Sequence, residues 1–243
     1  MNKPHLLLLP GLLCDARLWQ HQVAALADVA HVAVVDLSQA DSMEELAQDA
    51  LAQVQGQSFV LAGFSLGGYV ALEIMRQAPQ RVLALALLDT SAHADDSESK
   101  RARVKAMCQA EQDFSAFVAS LPPRLLHPLH QQDAALVQVV TAMAESLGPE
   151  VFIRQQLAML GRMDSRASLG QIVCPTLLLC GLEDAITPPA LHVEMQSAIV
   201  GAQLAQIEEA GHLTPLEQPQ RVSSNLESWL KALQHPLPGA VAG

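Results

Sequence analysis

The sequence predicts an α/β fold: a mostly parallel sheet flanked by helices, interrupted by one all-helical cap insertion. Three observations carry this. Short apolar runs that close on turn residues alternate with helix-period segments up to Leu88, and the same alternation returns after Gly170. Between Thr90 and Gly170 strand signals stop. Regular β/α alternation implies parallel strands joined by right-handed helical crossovers, with ligands held at the carboxyl ends of the strands.

The elements follow in order. Leu6–Leu9 is a continuous apolar run closed by Pro10-Gly11, the pattern of a parallel strand buried on both faces. Trp19–Leu26 reads as a helix and the valine-rich Ala30–Asp36 as a strand. Ser42, with Glu45 three residues on, caps a helix running to about Val54. Ser58–Ala62 is a strand, Leu66–Gln77 a helix ended by Pro79, and Val82–Leu88 a buried strand. In the insertion, Asp95-Asp96-Ser97-Glu98 is an acidic helix start that complements the helix dipole. That helix runs to about Ser120, Pro122-Pro123 break it, and Asp133–Leu147 and Pro149–Gly161 form two more. Thr176–Cys180 is a strand, Pro188–Ile199 a helix with proline in its first turn, Gln203–Ile207 the last strand and Gln218–Gln234 an amphipathic final helix. The division is thus 1–89 and 171–235 for the core, 90–170 for the cap, and a tail from 236 to 243 expected to be disordered.

Bulk properties bound the function. A length of 243 residues suits one α/β domain, and half the chain is apolar although only eight residues are aromatic. Net charge is −11, which argues against nucleic acid or an anionic membrane as partner. The charge is uneven: from Thr90 to Gly170 eight basic residues nearly balance nine acidic ones. Cys14, Cys108, Cys174 and Cys180 form no C-x-x-C pair, so free thiols in a reducing cytoplasm are expected, with Cys14 placed to line a site. Lys3 and the leucines after it faintly suggest a signal peptide, but Pro10-Gly11 interrupts the run, no A-x-A follows, and removal would delete the first strand. No apolar stretch is expected to reach the ~20 residues of a membrane helix.

The chemistry lies just after strands. Gly63-Phe64-Ser65-Leu66-Gly67 is G-x-S-x-G between a strand and a helix, the context of a nucleophile elbow. Such a turn needs small residues at 63 and 67 and holds the Ser65 hydroxyl at the positive end of a helix. A serine needs a base. Of nine histidines, His212 in Glu209-Ala210-Gly211-His212 follows the last strand, on the same sheet edge as Ser65. His5 and His31 begin strands at the opposite edge, His21, His192 and His235 lie on helices, His127 and His130 read as surface residues of the insertion, and His93 is the rival base. The base needs a carboxylate to hold its tautomer. Asp184 follows strand Thr176–Cys180, with Asp89 at the end of Val82–Leu88 as rival. The oxyanion of an acyl-transfer transition state would meet the backbone N–H of Leu66 and, from the first loop, that of Leu12.

The segments LLLLPGLLCDARLW, FVLAGFSLGGYVALEIMRQAPQRVLALALLDTSA, PTLLLCGLEDAITP and EEAGHLTPLEQP resemble the α/β-hydrolase superfamily, in its branch of small esterases, enol-lactonases and related lyases. The resemblance spans nearly the whole chain and implies a helical cap over the site, matching the insertion. Two departures stand out. Pro10 occupies a position where many members have histidine, and the usual leading β-hairpin is missing, which points to six strands rather than eight.

The cap is expected to set specificity. Its apolar residues Met107, Phe114, Phe117, Leu121, Leu125, Met143, Phe152, Met159 and Met163 divide between its own packing and an acyl pocket. Trp19, Phe114, Phe117 and Phe152 are the candidate substrate contacts, and the cap's basic residues could meet a substrate carboxylate. The expected activity is hydrolysis of small to medium carboxylic esters or lactones through an acyl-enzyme, with no metal or organic cofactor, in a monomer or homodimer. The alternatives are a triad-bearing lyase resembling the menaquinone-pathway enzyme, a C–C bond hydrolase, or a non-enzymatic binder.

Overall fold

A computed structural model describes residues 3–54 and 56–234. Six strands, β1 (His5–Leu9), β2 (His31–Val34), β3 (Phe59–Phe64), β4 (Val82–Leu88), β5 (Thr176–Gly181) and β6 (Gln203–Ile207), form one sheet in the order β2-β1-β3-β4-β5-β6. Every pairing is parallel. The helices are α1 (Gln20–Leu26), α2 (Met43–Ala52), α3 (Leu66–Gln77), α4 (Ser97–Gln112), α5 (Phe114–Ala119), α6 (Pro122–Leu125), α7 (Ala134–Gly161), α8 (Pro189–Ala198), α9 (Thr214–Glu217) and α10 (Pro219–Gln234).

The burial of each strand explains its sequence pattern. Strands β3 and β5 are buried at every residue and β4 at all but Leu83, so they read as unbroken apolar runs. The edge strand β2 alternates between exposed and half-buried residues. Successive side chains of a central strand feed opposite faces. Leu7 and Leu9 of β1 join Leu85 and Leu87 of β4 in a core under α2, α3 and α8. Leu6 and Leu8 join Ala84, Ala86 and Leu88 in a second core under α1 and α10. Each such fully buried leucine contributes about 1.5–3 kcal/mol. A third, smaller cluster around Phe117, Val118 and Phe152 ties the insertion to Leu13.

Chain order places the functional edge. From β1 the chain moves outward to β2, then returns to β3 on the other side of β1. The loops leaving β1 and β3 therefore part at neighbouring carboxyl ends, which opens a crevice between them.

The insertion lies between β4 and β5 and is wholly helical. Its helix starts are capped by Asp96, Asp113 and Asp133, each worth about 1 kcal/mol. The structure differs from expectation in several places. The helix read as continuous to Ser120 breaks at Asp113, whose extended backbone (φ −155°, ψ 92°) caps α5. Pro122 and Pro123 open a short helix rather than only ending one, since the first turn has no acceptors for their missing N–H groups. Ala134–Gly161 is, by length and composition, apolar enough to span a membrane, contrary to the sequence reading. Its backbone breaks at Gly148 (φ 82°), so neither half approaches ~20 residues. Helix α9 and a 3-10 turn over Arg166–Gln171 were not expected. His235 and the tail from Pro236 lie outside the described residues.

Candidate active site

The site assembles from three loops at the carboxyl edge. Ser65 sits between β3 and α3 with φ 51° and ψ −114°, a conformation that non-glycine residues avoid. The turn is held at both ends: Ser65 N donates to Leu88 O (2.9 Å), and Thr90 Oγ1 donates to Ser65 O (2.8 Å). Its tightness explains Gly63, where a Cβ would lie 2.3 Å from Gly67 O. Gly11, in the loop after β1, lies so close that a Cβ there would stand 2.7 Å from the Phe64 ring and 3.3 Å from Ser65 Cβ.

His212 follows β6 and Asp184 follows β5, and the structure brings both to Ser65. His212 Nε2 is 2.9 Å from Ser65 Oγ, and His212 Nδ1 is 2.8 Å from Asp184 Oδ2. Asp184 Oδ1 accepts the amides of Ile186 (2.8 Å) and Thr187 (3.0 Å), and Oδ2 accepts the Thr187 hydroxyl (2.7 Å). Both side chains are almost fully buried. Burial alone would push the Asp184 carboxyl up, but the facing His212 and the Thr187 donors outweigh it and hold it at about 2. A permanent carboxylate there takes the Nδ1–H of His212, which leaves the Nε2 lone pair for the Ser65 hydroxyl proton.

The rival residues stand elsewhere. His93 pairs with Glu194. Asp89 (φ 45°) is fully buried and binds Gly181 N (2.9 Å) and the Thr214 hydroxyl, not His212. Burial and the nearby Asp184 push its carboxyl well above the usual range. The amides of Leu12 and Leu66 donate to no acceptor among the described residues, and Gly11 keeps the Leu12 loop against Ser65.

A cavity of about 290 Å³ opens above Ser65 and His212. Phe117, Phe152, Leu121, Leu125, Met143, Met159 and Cys14 line it. Trp19 and Phe114 do not. Trp19 is fully buried beneath the site, its ring edge-on to Phe64 at 6.4 Å. Phe114 stacks on Phe117 from behind. Both belong to packing: Trp19 is part of the core cluster around Phe64, and Phe114 supports the cluster of Phe117 and Phe152.

Several contacts could not be read from sequence. Gln155 of α7, 1% exposed, accepts Leu13 N (2.9 Å) and donates to Leu37 O (3.0 Å), which pins the first loop through left-handed Leu13. Glu217, on α9, accepts the amides of Leu213 (3.1 Å) and His127 (2.6 Å) and faces His130 Nδ1 (2.9 Å). His212 N itself donates to Leu125 O (2.8 Å), so the insertion clamps the histidine loop. His127 and His130 are accordingly half-buried between insertion and core, not surface residues. The only sequence signal for Glu217 was its place in the EEAGHLTPLEQP segment.

His192, on α8, is fully buried, and its Nε2 accepts Thr90 N (3.2 Å). Burial, only partly offset by Asp184, lowers it to about 4. As pH falls below about 6.5 the unfolded chain gains a proton here that the folded chain refuses until about 4. Stability is therefore lost on acidification through this window, by about 3 kcal/mol from this group. His192→Gln, which keeps an acceptor for Thr90 N, is expected to flatten urea-measured stability between pH 6.5 and 4. An unchanged slope would remove His192 from the account.

Comparison with known proteins agrees with this architecture. The model of the "Alpha/beta hydrolase family" matches residues 6–224. A thermophilic esterase from Thermogutta terrifontis, solved with malate bound, superposes with a TM-score of 0.86 at 32% identity, covering 96% of this chain and 91% of that one. The biotin biosynthesis bifunctional protein BioHC of Cellvibrio japonicus is 27% identical over 96% of this chain, which spans about half (49%) of that protein. A putative carbamate hydrolase, RutD of Serratia proteamaculans, is 26% identical over 96% of this chain and 92% of its own length. With a six-stranded parallel sheet, a helical insertion and a family match across most of its length, the chain belongs to the alpha/beta hydrolase family.

Proposed function

We propose that this hydrolase cleaves carboxylic esters or lactones of small to medium size through an acyl-enzyme. The observation that carries the reading is the unbroken hydrogen-bonded chain Ser65–His212–Asp184 at the floor of an apolar cavity. His212 Nε2 takes the hydroxyl proton as Ser65 Oγ attacks the carbonyl carbon. The carbonyl oxygen becomes an oxyanion, met by the free amides of Leu66 and Leu12. His212 returns the proton to the leaving alkoxide, and Ser65 remains acylated. Water, deprotonated by His212, then releases the acid and restores the serine. Asp184 holds the imidazole in the tautomer each step needs and stabilises the imidazolium. The helical insertion caps the cavity and presents its acyl wall. An esterase at 32% identity with nearly full coverage supports the class. The four cysteines of the present chain are free, which fits work in the cytoplasm on a small-molecule substrate.

Burst kinetics test this. With p-nitrophenyl esters of two to twelve carbons, one equivalent of p-nitrophenol is expected before steady state, with an acyl adduct on intact protein by mass spectrometry. Slow turnover of every ester with neither burst nor adduct, as for a triad that only removes a proton in a lyase, would refute the acyl-enzyme.

A further inference from the structure

The cavity above Ser65 has a charge pattern that the hydrogen-bonded trio does not use. Arg103 and Arg124 line it, and among the described residues no aspartate or glutamate does. In a chain of net charge −11 this is a selective placement. Arg103, from α4, faces Asp95 through Nε and Nη2, and Arg162 donates to the same carboxylate at 2.7 Å. Two guanidiniums on one carboxylate leave one positive charge unbalanced. Arg162 is 7% exposed, donates also to His93 O (3.0 Å) and Met159 O (2.9 Å), and does not line the cavity. The surplus charge is therefore offered by Arg103, which reaches the cavity.

A second observation points the same way. Arg103 Nη1 donates to Gln156 Oε1 at 3.0 Å and to Met159 Sδ at 3.3 Å, which leaves Arg103 one N–H on Nη2 and fixes the amide with its Nε2 as a donor. Gln156 is 4% exposed and lines the cavity, and its Nε2 has no acceptor among the described residues. Tyr69 lines the same cavity with its ring under Arg162 (4.3 Å), and its hydroxyl is likewise unpartnered. Unspent donors and a net positive charge in an otherwise apolar cavity call for an anionic acceptor.

We propose that this wall is a carboxylate-binding subsite. The acyl part of the substrate ends in a free carboxylate that lies against Arg103 and Gln156 Nε2, while its ester or lactone carbonyl lies at Ser65. The substrates are then half-esters of diacids, or lactones bearing a carboxylate. This deepens the ester-hydrolase reading and rests on it.

The test compares p-nitrophenyl half-esters of six- to eight-carbon diacids with p-nitrophenyl hexanoate, heptanoate and octanoate. The readout is the ratio of kcat/KM, half-ester over matched neutral ester. A ratio of about 10 to 100 is expected for wild type, the range of a charge-assisted pair. Arg103→Met and Gln156→Leu should each cut that ratio at least about fivefold. Arg101→Met is the comparator: Arg101 lies on the same helix as Arg103, is exposed and does not line the cavity, so it should leave the ratio within about twofold. A wild-type ratio near one, a ratio that survives both Arg103→Met and Gln156→Leu, or a loss as large in Arg101→Met overturns the assignment. If Arg103→Met fails to fold, Gln156→Leu decides alone. Absence of Ser65-dependent turnover of both ester series would sink the ester-hydrolase reading itself, and the subsite with it.

Discussion

Ser65→Ala is expected to lower kcat/KM for any turned-over ester by about 10⁴-fold or more, the scale seen when a triad nucleophile is removed. The same change should abolish labelling by a fluorophosphonate probe, read as the mass of intact protein. The strained backbone at Ser65 (φ 51°, ψ −114°) makes a companion variant informative. Ser65→Gly should be as inactive as Ser65→Ala, yet melt higher, because glycine adopts this conformation without the ~1–3 kcal/mol that a side chain pays. Loss of activity with unchanged or raised stability separates chemistry from folding. Substantial activity in Ser65→Ala would remove Ser65 as the nucleophile and end the proposed mechanism.

The second large effect concerns the acid. Asp184→Asn is expected to cost about 10⁴ in kcat with little change in KM. The asparagine preserves volume but replaces an acceptor facing His212 Nδ1 with a group that can donate, which favours the wrong imidazole tautomer. The carboxylate now held at about 2 by His212 and Thr187 would also no longer stabilise the imidazolium. Asp89→Asn supplies the contrast. Asp89 touches Gly181 N and Thr214 but not His212, and its carboxyl is already pushed toward the neutral form. Its replacement should change kcat less than about tenfold, although it disturbs a buried hydrogen-bond pair. If Asp89→Asn proved the more damaging of the two, the acid would have to be reassigned.

Much of this site was legible because its signals are local. A strand, a tight glycine-flanked turn and a helix start stand together in residues 58–77, so Ser65 could be named without coordinates. The strand read from sequence ends at Cys180, four residues before Asp184, and β6 ends five before His212, so the two loops fall on the same edge. Helix α9 was not legible. Thr214–Glu217 is one turn long, and a single turn carries no periodicity. Glu217 and Gln155 were invisible for a related reason: their partners lie 90 and 142 residues away, and no local pattern marks such pairs.

From its sequence alone this protein has its class of fold, its six parallel strands and the order serine, aspartate, histidine along the chain, since hydrophobic period and turn chemistry act over a few residues. Tertiary structure decided which carboxylate meets His212, that Phe117 and Phe152 face the cavity while Trp19 and Phe114 do not, and that the insertion grips the loops of Leu12 and His212. Those outcomes depend on how each helix is rotated about its axis and on which strands become neighbours. Both are settled only when the two faces of the sheet are packed together.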